Sequence, residues 1–175
     1  MVLDKKHNLV LITKYFSPIL SGAGKRFLYI YPFLKQRNVN LTVVTVFHEG
    51  NKKSEVIDGI KVYRLKINTK TNDKTYELQK KAYSLLKKIK IDTVIFVQHS
   101  YKAFLYILLL RLRKIKCIKN VTMMPNILEK NIKGFILRQL SYNVFSKLYC
   151  ISNAMKERLT ISNINLNKIK TIPNG

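Results

Sequence analysis

The first 46 residues constrain the fold more tightly than any other stretch. Asn8-Leu-Val-Leu-Ile-Thr13 is a short unbroken apolar run, the pattern of a strand covered on both faces in a parallel sheet. A loop over 14–24 follows, with glycines at 22 and 24. From Lys25 the apolar period turns helical, with Phe27, Ile30, Tyr31 and Leu34 on one face. Pro32 lies inside that stretch and is expected to kink it, because proline removes a backbone donor. Leu41-Thr-Val-Val-Thr-Val46 is a second, β-branched strand. Strand, glycine loop, helix and strand make a βαβ unit, which commits the chain to parallel pairing.

The alternation continues. Ile60–Ile67, opened by Asp58-Gly59, alternates strictly and reads as a half-exposed or edge strand. Leu78, Ala82, Leu85, Leu86 and Ile89 fall at helical spacing, with Glu77 and Lys81 as a favourable i,i+4 pair. Thr93–Val97 is a buried strand, and Ala103–Ile115 is a helix closed by basic residues. Asn120–Met124 is a strand cut off by Pro125, and Ile132, Ile136, Leu140 and Val144 mark a helix. Leu148–Ile151 is a strand, Ser152 or Asn153 caps a helix to about Thr160, and Lys168–Ile172 is a last strand. The class is therefore α/β, with a Rossmann-like doubly wound, mostly parallel sheet. Ligands then belong at the carboxyl ends of its strands. A chain of 175 residues, 47% of them apolar, can bury one such core.

Two places at those strand ends carry chemistry. The first is Ser21-Gly22-Ala23-Gly24-Lys25-Arg26. Glycines let a backbone approach a ligand, and a helix N-terminus with two cations behind it favours an anion. The spacing is neither a dinucleotide fingerprint nor a P-loop, and a plain βα connection is the competing reading. The second is His99, just past the strand at 93–97, where an imidazole can donate to a hydroxyl or move a proton. A histidine at a surface loop is the alternative there. His7 and His48 show no metal-ligand spacing with it, and no metal or cofactor is expected. Cys117 and Cys150 sit in no redox or metal motif and read as buried free thiols.

Lys and Arg number 33 against 9 Asp and Glu, a net charge of +24. That excess argues against a cationic substrate and favours an anionic partner; the competing reading is a Lys-, Asn- and Ile-rich compositional bias with a solvated surface. No nucleic-acid-binding motif accompanies it, so nucleic acid is not the expected partner. Tyr29, Tyr31, the 101–116 helix, Lys133, Arg138 and Lys147 make basic, aromatic helix surface that can lie on anionic lipid, or is simply solvated. The N-terminus has no signal-peptide core. The longest apolar run, Ala103–Leu110, is far short of the about 20 residues a span needs. The expected location is cytoplasmic, soluble or peripheral on the inner face of the membrane.

Four stretches together resemble the N-terminal domain of a family 4-type glycosyltransferase of the GT-B fold. They are Tyr15-Phe-Ser-Pro18 with Ser21–Arg26, Leu34–Thr45, Asp58-Gly-Ile-Lys-Val-Tyr-Arg-Leu65, and Tyr149–Ser152 with Leu159 and Lys168–Gly175. The resemblance implies that residues 1–170 are an acceptor-side Rossmann-like domain. Residues 171–175 would begin the crossing to a C-terminal donor-binding domain absent from this chain. It implies transfer of a sugar from a nucleotide-sugar, held mainly by that second domain, to a lipid-linked or polysaccharide acceptor. The substrate-binding positions would be Gly22, Ala23, Gly24, Lys25 and Arg26, with His99 as the catalytic candidate. The competing expectation is a non-catalytic half that binds acceptor or membrane and needs a separate donor-binding domain. The chain departs from the pattern at Ser21-Gly22, where Gly-Gly is common, and at Asn38, where a turn glycine is usual. It also departs in the spacing of His99 from Asp92, and at Met123-Met124-Pro125, where a His or Asp is usual.

Overall fold

The computed structural model describes residues 6–19, 21–68, 70–121, 132–161 and 164–172. The order is β1 (His7–Ile12), α1 (Gly22–Gln36), β2 (Val39–Val46), β3 (Ser54–Ile57), β4 (Ile60–Leu65), α2 (Lys74–Leu86), β5 (Thr93–Phe96), α3 (Phe104–Leu112), β6 (Lys116–Val121), α4 (Ile132–Asn143), β7 (Lys147–Cys150), α5 (Asn153–Ile161) and β8 (Ile169–Thr171). Short 3₁₀ turns at Tyr101–Ala103 and Leu166–Lys168 precede α3 and β8. The strands form one sheet in the order β3-β4-β2-β1-β5-β6-β7-β8. Every pair is parallel except β3 with β4. The chain winds outward from β1 to one side, then returns past it to β5 and winds outward on the other. The expected α/β class and doubly wound sheet are present.

Strand alternation divides the core between the two faces. Phe27 and Tyr31 of α1 join Leu9, Leu11, Leu41, Val43, Ile60 and Val62 on one side. Leu78, Ala82 and Leu86 of α2 and Ile107 and Leu110 of α3 join Val10, Ile12, Val94, Phe96, Cys117 and Leu148 on the other. Burying each large side chain of this kind contributes about 1.5–3 kcal/mol. Cys117 and Cys150 are buried and free, and burial pushes the Cys117 thiol up to about 12.

Several expectations need correction. The segment 22–24 is not loop: α1 begins at Gly22, because Ser21 caps it by accepting from the Gly24 amide at 3.1 Å. Pro32 does not interrupt α1, which runs on to Gln36. Pro32 stands on the exposed side, while Phe27 and Tyr31 hold the turns around it on the sheet. β4 is the half-exposed strand of the two readings, its alternate residues buried, and not an edge strand, since β3 pairs outside it through the two-residue Asp58-Gly59 turn. Both turn residues have positive φ, 50° and 82°, as a tight hairpin requires. β6 begins at Lys116 and not at Asn120; its buried Lys119 breaks the apolar run by which a strand is recognised. Residues 122–125 of the expected strand, and the Pro173-Asn174-Gly175 turn, lie outside the described residues. Asn38 fills the turn position usually held by glycine. It has φ 56° and bonds back to Lys35 O at 3.0 Å, a conformation asparagine tolerates.

Candidate functional site

In a doubly wound sheet the crevice opens where the strand order reverses. Here that point lies between β1 and β5. A cleft of about 560 Å³ opens there. One wall is the first two turns of α1: Ser21, Gly22, Ala23, Lys25, Arg26, Tyr29 and Ile30. The other is Val97 and Gln98 after β5, Asn120 in β6 and Ile151 after β7.

The α1 wall is built to stay open. Ser21 Oγ accepts the Gly24 amide and itself donates to Tyr15 O at 3.4 Å, fixing the helix start against the preceding loop. The Gly22 and Ala23 amides, first in the helix, have no acceptor among the described residues. A Cβ on Gly22 would meet nothing within 4 Å, so its backbone faces free space. A Cβ on Gly24 would lie 3.3 Å from Tyr15 O, so Gly24 is there for packing and does not line the cleft. Free amides, the positive end of a helix and the side chains of Lys25 and Arg26 converge on one volume suited to an anion. The loop before them is anchored from below. Arg64, buried in β4, donates to Ser17 O at 2.6 Å and to Lys52 O at 3.1 Å, and pairs with Glu55. Thr45 Oγ1 donates to Lys14 O at 3.0 Å.

The arm after β5 is built differently. Gln98 Oε1 accepts the Lys14 amide at 3.0 Å, linking the two arms. Gln79 of α2 is buried, and its Oε1 accepts the Ser100 amide at 3.1 Å. That orientation makes Gln79 Nε2 the donor, to Gln98 O at 3.3 Å and to His99 Nδ1 at 3.4 Å. Ser100 Oγ donates to Asp73, the N-cap of α2. The His99 ring meets Phe145 and Tyr142 edge-on at 4.9 and 6.1 Å. Burial, and then the charge of Lys119, hold its imidazole well below the usual histidine range, so it is neutral at pH 7. Accepting at Nδ1, a neutral ring carries its proton on Nε2, and that atom is buried without a partner. Lys119 itself is buried in β6, donates to Val97 O at 2.6 Å, and is held down by burial to about 7.

The structure thus gathers Gly22, Ala23, Lys25 and Arg26 in one cleft. His99 does not line it. It lines a neighbouring cavity of about 200 Å³ with Tyr101, Arg138, Ser141 and Tyr142. Sequence reasoning missed Gln98, Asn120, Gln79 and Lys119. The available signal was polar residues at or inside the carboxyl ends of apolar strands, at 98 and at 119–120. Among the described residues, no group of three His, Cys, Asp or Glu side chains is placed to hold a metal ion.

Residues 20–175 match the family model of Glycosyltransferase Family 4. No curated protein matches the chain by sequence. Among solved structures the chain is similar to sucrose-phosphate synthase from Thermosynechococcus elongatus, at 11% identity and a TM-score of 0.68, covering 97% of this chain and 48% of that one. It is similar to the Anabaena protein HepE, solved with UDP and glucose, at 13% identity and a TM-score of 0.62, covering 97% and 44%. It is also similar to UDP-GlcNAc 2-epimerase from Methanocaldococcus jannaschii, at 20% identity and a TM-score of 0.60, covering 97% and 46%. At these identities the likeness is one of fold, shared by transferases and an epimerase alike. The chain spans less than half the length of each of these proteins.

Proposed function

The chain belongs to glycosyltransferase family 4, and on that premise we propose that it is the acceptor-side half of a sugar transferase. Its donor is a nucleotide-sugar held mainly by a second domain. Its acceptor is a lipid-linked or cell-surface polysaccharide chain, met at the cytoplasmic face of the membrane. The observation that carries this reading is the open first turn of α1 at the switch point. Two free amides, Lys25 and Arg26 there suit the diphosphate of such a donor, whose leaving group gathers negative charge as the glycosidic bond breaks. UDP in the similar HepE structure is consistent with a donor of this class. Gly24 belongs to this substrate-binding set by shaping the turn.

His99 takes a narrower role than an acid catalyst. A neutral imidazole packed edge-on against Phe145 and Tyr142, with Nε2 buried, gives the smaller cavity a fixed wall and positions the residues around it.

The test joins the chain to a donor-binding domain of the family and follows label from a UDP-sugar into a lipid extract. Expected is transfer that falls about a hundredfold with Gly22→Val, the scale of losing preorganised donors. Transfer untouched by Gly22→Val contradicts the role of this turn.

A further inference from the structure

We infer that the outer face of α1 is a track for the saccharide chain of the acceptor, an inference that rests on the transfer reading above. The inner face of the helix is fixed. Phe27 and Tyr31 are buried on the sheet, and Tyr31 Oη donates to Gly59 O at 3.0 Å. The opposite face carries Gly22, Lys25, Tyr29, Pro32, Phe33 and Gln36, all exposed. Their spacing of three and four residues makes one stripe along the helix. Tyr29 is 76% exposed and Phe33 65%. The two rings stand one turn apart, about 6 Å along the axis, the scale of one sugar unit in a chain. Aromatic rings in line on the outer side of a helix that already buries an apolar side need a reason, since such side chains on a soluble surface are ordinarily scattered.

Position, shape and charge select the occupant. The stripe begins inside the cleft, since Gly22, Lys25 and Tyr29 line it. It leaves the cleft past Pro32 and Phe33, and from Gly22 to Phe33 it runs about 16 Å. A chain whose end reacts at the open turn is led outward along it. The apolar part is one residue wide and bracketed by Lys25, Gln36 and Arg37, too narrow for the roughly 800 Å² that each partner of a stable protein complex buries. A flat ring packs against the C–H face of a sugar and leaves the hydroxyls at its edge in water. The cations and amide beside the rings are donors for those hydroxyls. No acidic residue occurs between Asp4 and Glu49, so neither a phosphate at the linked end of the chain nor acidic sugars along it meet a like charge.

The test is NMR of the full chain titrated with cellohexaose and maltohexaose as neutral chains and a hyaluronan hexasaccharide as an acidic one. Expected is saturable shifting of the Tyr29 and Phe33 ring signals by at least one of them, with the disaccharide of the same series binding about tenfold more weakly. Tyr29→Ala and Phe33→Ala each weaken binding about tenfold, while Tyr29→Phe retains it, because the ring face and not the hydroxyl makes the contact. Both positions are exposed, so circular dichroism of the variants is expected to match the parent. Rings unmoved by all of these saccharides overturn the proposal, as does binding that survives both alanine variants. It is also overturned if a short oligouridylate moves the two rings and the saccharides do not. Inorganic pyrophosphate separates the track from the reading it rests on. Shifts of the Gly22 and Ala23 amides by pyrophosphate, with the rings silent to every saccharide, overturn the track alone. Ring shifts by a saccharide, with those amides silent to pyrophosphate, uphold the track and overturn the transfer reading.

Discussion

The two arms that meet over β1 and β5 have opposite designs. After β1, the chain enters α1 with spare amides, a glycine facing open space and two cations in contact with water. After β5, Gln79, Ser100, Asp73 and Lys119 are all bonded within the arm. Gln79 serves Gln98, His99 and Ser100, Asp73 holds Ser100, and Lys119 holds Val97. An anion is drawn by the first arm, where charge keeps its hydration and costs little to maintain. The second arm holds the His99 imidazole neutral by burial and contributes a fixed shape. Charge in a site of this kind is stored where the fold is open, and rigidity where it is closed.

The comparison can be broken at its supports, and the largest effect is expected at Arg64. It anchors the first arm from within the sheet, so Arg64→Ala removes its bonds to Ser17 and Lys52 and leaves Glu55 without its cation. A loss of about 3–5 kcal/mol is expected in urea denaturation. A loss below about 1 kcal/mol would mean that the first arm holds itself.

The second arm is tested at Lys119. Replacing this buried cation by an apolar residue of similar length, Lys119→Met, is expected to stabilise the chain by about 1–4 kcal/mol at pH 7. The sign follows from linkage. Lys119 is held down to about 7 when folded, against an ordinary 10.5, so the unfolded chain binds more protons between those values. Stability from this residue therefore rises with pH from about 7 to 10.5. Below 7 it contributes a constant penalty. His99 acts in the same direction in a lower window, and its stability is lost as pH falls from 6.5 towards its depressed folded value. Thermal melts across pH 5–10 on parent and Lys119→Met separate the two. A parent curve flat above pH 7 would place a stable ammonium at position 119.

Gln79→Leu is expected to cost about 1–3 kcal/mol, by stranding the buried Ser100 amide and Gln98 carbonyl. The smallest effect is expected at Ser21. Loss of this cap in Ser21→Ala costs about 1 kcal/mol by the same denaturation measurement, while Gly22→Ala is nearly silent because its Cβ enters open space.

Local patterns made the frame legible. The apolar runs at 8–13 and 93–97 are the two central strands, and the 22–26 segment does begin the α1 wall. The hairpin at Asp58-Gly59 was only half legible, since the turn pair stands out but Ser54-Glu-Val-Ile57 before it is a four-residue strand with too short an alternation to be seen. The start of α1 was hidden because glycines suggest a loop, and only the Ser21 cap reveals that they are helical. The buried polar set was not legible at all. Gln79 occupies a helix and Lys119 a strand, and either residue in isolation reads as surface. Their burial follows from the long-range packing of α2 and β6 against the arm after β5. His99 was found by its place after a strand, but that it opens on the smaller cavity was set by Phe145 and Tyr142, more than forty residues away.

The central claim is that the first turn of α1 is the anion-binding wall, and amide NMR tests it most directly. Inorganic pyrophosphate and then UDP are titrated into the ¹⁵N-labelled chain. The expected result is saturable shifts of the Gly22, Ala23, Lys25 and Arg26 amides, weakened by salt and by Arg26→Ala, with the Ser100 amide unmoved. Shifts confined to the arm after β5, or an unchanged first turn at saturating ligand elsewhere, would contradict it.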